Sequence, residues 1–203
     1  MTARDSVTRL QERFTNAILK AGEFRGENTL SIKIEALHDI AAFCRDELGF
    51  DYLLDISSLD HFGEDPRFEM VYELYSMADG VHLRLKAVVP GEDNPAAPTI
   101  SDLWPTADWH EREVYDMMGI HFDGHPDLRR ILMWEGYPFF PLRKDFPLEG
   151  KVSDVPEVAF TEVAPLAGGP FVTIPTDGIT EVREPRARRA GDPLSTDKFL
   201  AES

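Results

Sequence analysis

Cysteine is almost missing from this sequence: Cys44 is the only one in 203 residues. A single thiol excludes an internal disulfide framework, and it excludes any iron–sulfur cluster held by this chain alone. Long apolar runs are missing too. Nothing approaches the roughly 20 residues of a membrane-spanning helix, and no apolar signal-peptide core leads the chain. The expectation is a cytoplasmic protein that meets a membrane only through a partner. Cations are scarce: 21 Lys and Arg against 37 Asp and Glu leave a formal net charge of −16. That balance argues against non-specific nucleic-acid binding, which needs a cationic footprint. Several catalytic fingerprints are absent as well. There is no glycine-rich nucleotide loop after a strand, no P-loop and no Gly-x-Ser-x-Gly; His110-Glu111 lacks the second histidine of a zinc-protease helix.

What is present begins with periodicity. Leu10, Phe14, Ala17, Ile18 and Ala21 recur at helical spacing and predict a helix from Ser6, its N-cap, to Ala21. Thr29 to Ile34 alternates as a strand, with Leu30, Ile32 and Ile34 on one side. Leu37, Ile40, Ala41, Cys44 and Leu48 predict a second helix closed by Gly49, with Cys44 as a buried, inert thiol. Strands follow at Phe50–Leu59, Phe68–Met77 and Val81–Val89, the last two joined by Asp79-Gly80 as a type I′ hairpin signal. His82 falls on the polar face and His61 in an acidic loop with Glu64 and Asp65; both read as solvated. Pro90–Pro98 reads as a loop, and Ser101 and Thr106 as N-caps of two short helices, the second ending at Gly119. The expected fold is α+β: helices packed on one face of a small, mainly antiparallel sheet, followed by an extended C-terminal arm.

The densest stretch runs from Asp108 to Leu148. All three tryptophans (Trp104, Trp109, Trp134) lie in it or just before it, with charges packed between aromatics and prolines. Such charges need partners if buried. Arg112 and Asp116, four apart, are expected to pair, and the acids Glu111 and Glu113 to be neutralised by Arg112, Arg129, Arg130, Arg143 and Lys144. His121 and His125, with Asp116 and Asp123 nearby, would suit a metal-dependent hydrolase only on a continuous helix. Gly119, Gly124 and Pro126 oppose one, so the ion-paired reading is preferred. The chain thus divides into an α+β scaffold (1–98), a charged junction segment (99–150) and a Pro-rich arm (151–203). In the arm, Phe160, Phe171, Val172 and Ile174 favour draping over a partner rather than free disorder, and Arg183, Arg186, Arg188 and Arg189 form a basic knot.

Glu111-Arg112-Glu113, then Asp116-Met117-Met118, then Gly124 through Leu132 (Gly-His-Pro-Asp-Leu-Arg-Arg-Ile-Leu) and Pro141 through Leu148 (Pro-Leu-Arg-Lys-Asp-Phe-Pro-Leu) are long and unusual in composition. Together they resemble the C subunit, also called the 30 kDa subunit, of the proton-pumping NADH:quinone oxidoreductase, respiratory complex I. One departure is Phe139-Phe140, where the family usually has Gly-His. The resemblance implies a polypeptide without a cofactor of its own, flavin and iron–sulfur clusters residing in partner subunits. It implies a peripheral place on the cytoplasmic side of the inner membrane, chiefly against the D subunit and the cluster-bearing B subunit. No catalytic, cofactor-binding or metal residues are expected in the chain itself. Glu111, Arg112, Glu113, Asp116, His125, Arg129, Arg143, Lys144 and Asp145 are expected to form the partner-facing, ion-paired junction. The alternative is the equivalent subunit of a related membrane-bound hydrogenase, F420-dependent or ferredoxin-dependent complex.

Overall fold

The computed structural model describes residues 2–134 and 136–148; the expectations for the arm at 151–203 fall outside them. Helix α1 (Ala3–Arg13) leads into strands β1 (Ile18–Phe24) and β2 (Glu27–Ile32), then helix α2 (Leu37–Leu48). Strands β3 (Tyr52–Asp60), β4 (Phe68–Ser76) and β5 (Val81–Val89) follow. The last elements are a short strand β6 (Ala96–Pro98), helix α3 (Ala107–Met118) and strand β7 (His121–Asp123). The main sheet has the order β1-β2-β5-β4-β3, antiparallel except where β2 runs parallel to β5. The fold is therefore the expected α+β with a mainly antiparallel sheet.

Alternation does most of the building. Phe68, Met70, Tyr72 and Leu74 of β4 and Leu83, Leu85, Ala87 and Val89 of β5 are buried on one face. They join Leu10 of α1, Leu37, Ile40, Cys44 and Leu48 of α2, and Val114, Met117 and Met118 of α3 in one continuous core. Each fully buried large apolar side chain contributes roughly 1.5–3 kcal/mol. The opposite face is a ladder of charges. Lys86 donates to Glu69 at 2.6 Å, Arg84 reaches Glu73 and Glu27, and His82 lies 2.7 Å from Glu73. His82 is thus part of a cross-strand ladder rather than simply solvated, and His61 lies 3.5 Å from Glu69.

Four expectations change. The first helix ends at Arg13, not Ala21, and its N-cap is Thr2, whose side chain accepts from Asp5 N–H in a capping box; Ser6 is buried inside the helix. Phe14, Ala17 and Ile18 still pack on the core, because a turn at Phe14–Ile18 reproduces the helical spacing before the chain extends into β1. The β4–β5 hairpin is present, but only Gly80 has positive φ and its N–H donates to Ser76 C=O, so the four-residue connection is not type I′. Residues 96–98, read as loop, form β6, which pairs in parallel with β7. A three-residue strand is too short to leave a periodic trace. Ser101 starts a turn rather than a helix.

Candidate functional site

Helix α3 sits in a crossover between the parallel strands β6 and β7. It ends at Gly119, in the left-handed conformation (φ 73°). Its mixed composition has a geometric cause: it is covered on more than one side. Val114, Met117 and Met118 join the core, while Arg112 and Asp116 meet the chain that returns after β7. Glu111, Arg112 and Asp116 are all buried.

Asp116 is the anchor of that returning chain. Its Oδ2 accepts N–H bonds from Ile131 (3.0 Å), Leu132 (2.7 Å) and Met133 (2.8 Å), and its Oδ1 accepts from Arg130 Nη1 at 2.6 Å. Three successive amides around one carboxylate make an anion nest. Burial alone would raise the carboxyl; the three amides and Arg130 outweigh it and hold it below its ordinary value. The expected Arg112–Asp116 pair does not form. Arg130 takes that place, and Arg112 instead donates its Nε to Arg129 C=O at 3.2 Å and stacks 4.9 Å from the Trp109 ring.

Among the described residues Glu111 has no arginine partner either. It accepts from the Ile100 amide at 2.8 Å and from the Thr99 hydroxyl. Burial pushes its carboxyl up to about 7; those two bonds oppose the rise, and the charges of Asp108 and Asp102 add to it. His125, its side chain fully buried, lies 3.9 Å from Glu111. The Asp127 amide donates to His125 Nδ1 at 3.0 Å, so the ring proton is on Nε2, which faces the Asp108 carbonyl and Oδ1, each at 3.3 Å. Glu113 is exposed and Arg129, also exposed, pairs with Asp127 at 2.9 Å.

A second cluster closes the segment. Arg67, with its side chain 4 % exposed, donates two bonds to Asp60 at 2.8 Å and further bonds to Glu92 (2.8 Å) and Asp145 (2.6 Å). Lys144 contributes its backbone amide, which donates to Asp60 at 2.7 Å. The Arg67 bonds hold both Asp60 and Asp145 below the ordinary carboxylate range. Among the described residues Arg143 pairs with no acid. Its Nε donates to Met118 C=O at 2.7 Å, and its guanidinium lies over the rings of Phe140 (4.6 Å) and Phe68 (5.1 Å). Gly119 is required here twice over. Its φ suits glycine, and a Cβ would stand 2.6 Å from the Phe140 ring and 2.7 Å from Arg143. The phenylalanine at 140 thus fills an apolar role between two guanidiniums, since Arg130 also lies 5.1 Å from it.

Of the nine residues expected at the junction, the structure brings Glu111, Arg112 and His125 together on one side of α3. Asp116 stands with Arg130, and Arg143, Lys144 and Asp145 gather near Asp60 and Arg67. Arg129 pairs with Asp127, and among the described residues Glu113 joins none of these groups. Asp60 and Arg67 are charged residues whose roles sequence reasoning missed, and Arg130, expected to neutralise Glu111 or Glu113, pairs with Asp116 instead. The signal for Arg67 was a cation directly before the inward-facing Phe68. The hydrolase alternative finds no support: His121 faces Asp123 (3.3 Å), and among the described residues no three metal-ligating side chains converge.

A family model described as respiratory-chain NADH dehydrogenase, 30 Kd subunit, matches residues 30–152. The C subunit of the NADH-quinone oxidoreductase of Geobacter sulfurreducens is 46 % identical over 146 residues, covering 71 % of this chain and 90 % of that one. Its counterpart in Roseiflexus castenholzii is 45 % identical over 157 residues, covering 76 % and 87 %. Among solved structures, a chain of the membrane-bound sulfane sulfur reductase, an archaeal respiratory membrane complex, superposes with a TM-score of 0.63 at 23 % identity. That match covers 71 % of this chain and 85 % of that one and is a likeness of fold. The chain belongs to the family of the 30 kDa subunit of respiratory-chain NADH dehydrogenase.

Proposed function

We propose that this chain is the C subunit of a proton-pumping NADH:quinone oxidoreductase. In that reading it carries no cofactor and no catalytic residue. It braces the quinone-reducing module by contact with the D subunit, close to the cluster-bearing B subunit, while partner subunits hold the flavin and iron–sulfur clusters. It is peripheral, on the cytoplasmic side of the inner membrane, and no helix among the described residues is long and apolar enough to cross a membrane.

The observation that carries the reading is the 46 % identity to the Geobacter sulfurreducens protein over nine-tenths of that relative's length. The geometry supports it. Apart from the Asp116–Arg130 pair itself, Asp116, Arg130, Arg112 and Arg143 spend their hydrogen bonds on backbone amides and carbonyls, which is the behaviour of residues that shape a rigid docking surface. The test is co-purification: the chain is tagged in its native cells and membranes are extracted in mild detergent. The expected result is a large complex containing flavin, many iron–sulfur centres and the D and B subunits. A flavin- and NADH-binding polypeptide among them would distinguish this complex from its hydrogenase-, F420- and ferredoxin-linked relatives. Recovery of the chain alone from the soluble fraction, or quinone reduction by the isolated chain, would overturn the reading.

A further inference from the structure

The outer side of α3 carries a cavity of about 340 Å³ lined by Trp109, Arg112, Arg129, Arg130 and Ile131. Three guanidiniums around one hollow are unusual in a chain of net charge −16. Two of them are already answered. Arg130 is locked to Asp116 at 2.6 Å, and Arg129 meets Asp127 at 2.9 Å. Arg112 is different. Its side chain is only 9 % exposed, and its nearest carboxylate, Asp108, stands 3.9 Å away. That carboxylate oxygen lies between Arg112 and His125 and hydrogen-bonds to neither. Among the described residues Arg112 has one hydrogen bond, from Nε to Arg129 C=O. Its two Nη groups, which carry four N–H donors, are left for the cavity.

We propose that this cavity receives a carboxylate side chain from a neighbouring subunit, held in a two-pronged pair by Arg112. The proposal rests on the functional reading above. Charge selects the ligand: Arg129 and Arg130 are closely paired, whereas Arg112 has only the distant Asp108 carboxylate at 3.9 Å, with no hydrogen bond between them, so its free N–H donors suit one further anion. Shape selects it further. Stacking on Trp109 fixes the plane of the guanidinium, and a planar fork of N–H groups matches the two oxygens of a carboxylate. A volume near the lower limit of small-molecule pockets accommodates one acidic side chain and water. The Arg112 side chain is only 9 % exposed, so loss of the incoming carboxylate leaves a buried cation with the Asp108 carboxylate no nearer than 3.9 Å.

The experiment uses the assembled complex with Arg112→Lys and, separately, Arg129→Lys. Both keep the charge and place an amine in the cavity. Position 129 is largely exposed, so the second variant leaves the fold intact even if the first does not. A water-soluble carbodiimide then condenses an amine with a touching carboxylate, and the cross-linked peptides are mapped by mass spectrometry. The expected result is a link from position 112 or 129 to an Asp or Glu of another polypeptide of the complex. It should be absent in the wild-type complex and lost at least tenfold when that acid is replaced by its amide. An assembled complex with no intersubunit link at either position, or with links only to Asp108, Asp116 or Asp127 of the same chain, would overturn the proposal. Recovery of the chain without any other polypeptide would overturn the functional reading, and this proposal with it.

Discussion

Residues 27–89 hold their place by putting Leu30, Ile32, Met70, Tyr72, Leu83 and Leu85 into a dry interior. Of the hydrophobic residues between 124 and 148, only Tyr137 is buried among those described. The described residues of this later stretch form no helix or strand, yet their path is fixed. Asp116 takes the amides of residues 131–133, Arg112 the carbonyl of Arg129, Arg130 the carbonyl of Phe139, and Asp60 the amide of Lys144. Edge-to-face contacts from Trp134 to Tyr137 (4.5 Å) and from Tyr137 to Phe139 (5.6 Å) run alongside. The lesson is that buried charges can replace a hydrogen-bonded ladder when each one is aimed at backbone groups that would otherwise go unpaired.

The sharpest way to break this contrast is Asp116→Ala. It strands Arg130 and three amides, and a loss of about 3–5 kcal/mol is expected from removing one partner of a buried charge pair. The damage should be local: limited proteolysis should cut within 124–148 while amide exchange in β4 and β5 stays slow. Simultaneous loss of protection in both regions would mean that the two are one cooperative unit. Leu85→Ala is the converse, with an expected loss of about 3 kcal/mol from the cavity it opens. Urea unfolding should shift its midpoint with an unchanged slope, and the 124–148 stretch should be released only with the sheet.

A smaller effect separates the two regions by pH. Folded Glu111 keeps its proton up to about pH 7, whereas in the unfolded chain it ionises near its ordinary value of 4.5. The folded state therefore binds more protons in that window, and stability falls as pH rises from 4.5 through 7. Glu111→Gln preserves the shape and removes the titration. It should match the wild type near pH 4 and exceed it by on the order of 2 kcal/mol at pH 8, read from denaturation midpoints across pH. Equal pH profiles for the two proteins would show that Glu111 is already ionised in the fold.

The scaffold was largely legible because its signals are local. The alternation from Val81 to Val89 and the helix closed by Gly49 report burial over a few neighbouring residues, and β5 and α2 fall on those residues. The end of α1 was illegible because Phe14, Ala17 and Ile18 satisfy the same core from a turn. At the site, the density of charge was visible but its pairing was not. Arg112 and Asp116 share helical spacing, yet Asp116 is answered by Arg130 from 14 positions away. Asp145 meets Arg67 across 78 positions. Side-chain bonds over such separations leave no period in the sequence. The resemblance located the segment; only the fold could tell which acid meets which base.

Leu132 is 61 % exposed and Trp134 39 %, yet both stand on backbone already tied down by Asp116 and by the turn from Trp134 to Tyr137. Ordering a free chain to present such side chains would cost about 1–2 kcal/mol of backbone entropy per residue. Here that entropy is lost when the chain folds. A surface closing over Leu132 and Trp134 therefore gains their apolar contact with little further loss of freedom, and the Asp116 nest, itself fully buried, sets how tightly such a surface can be held.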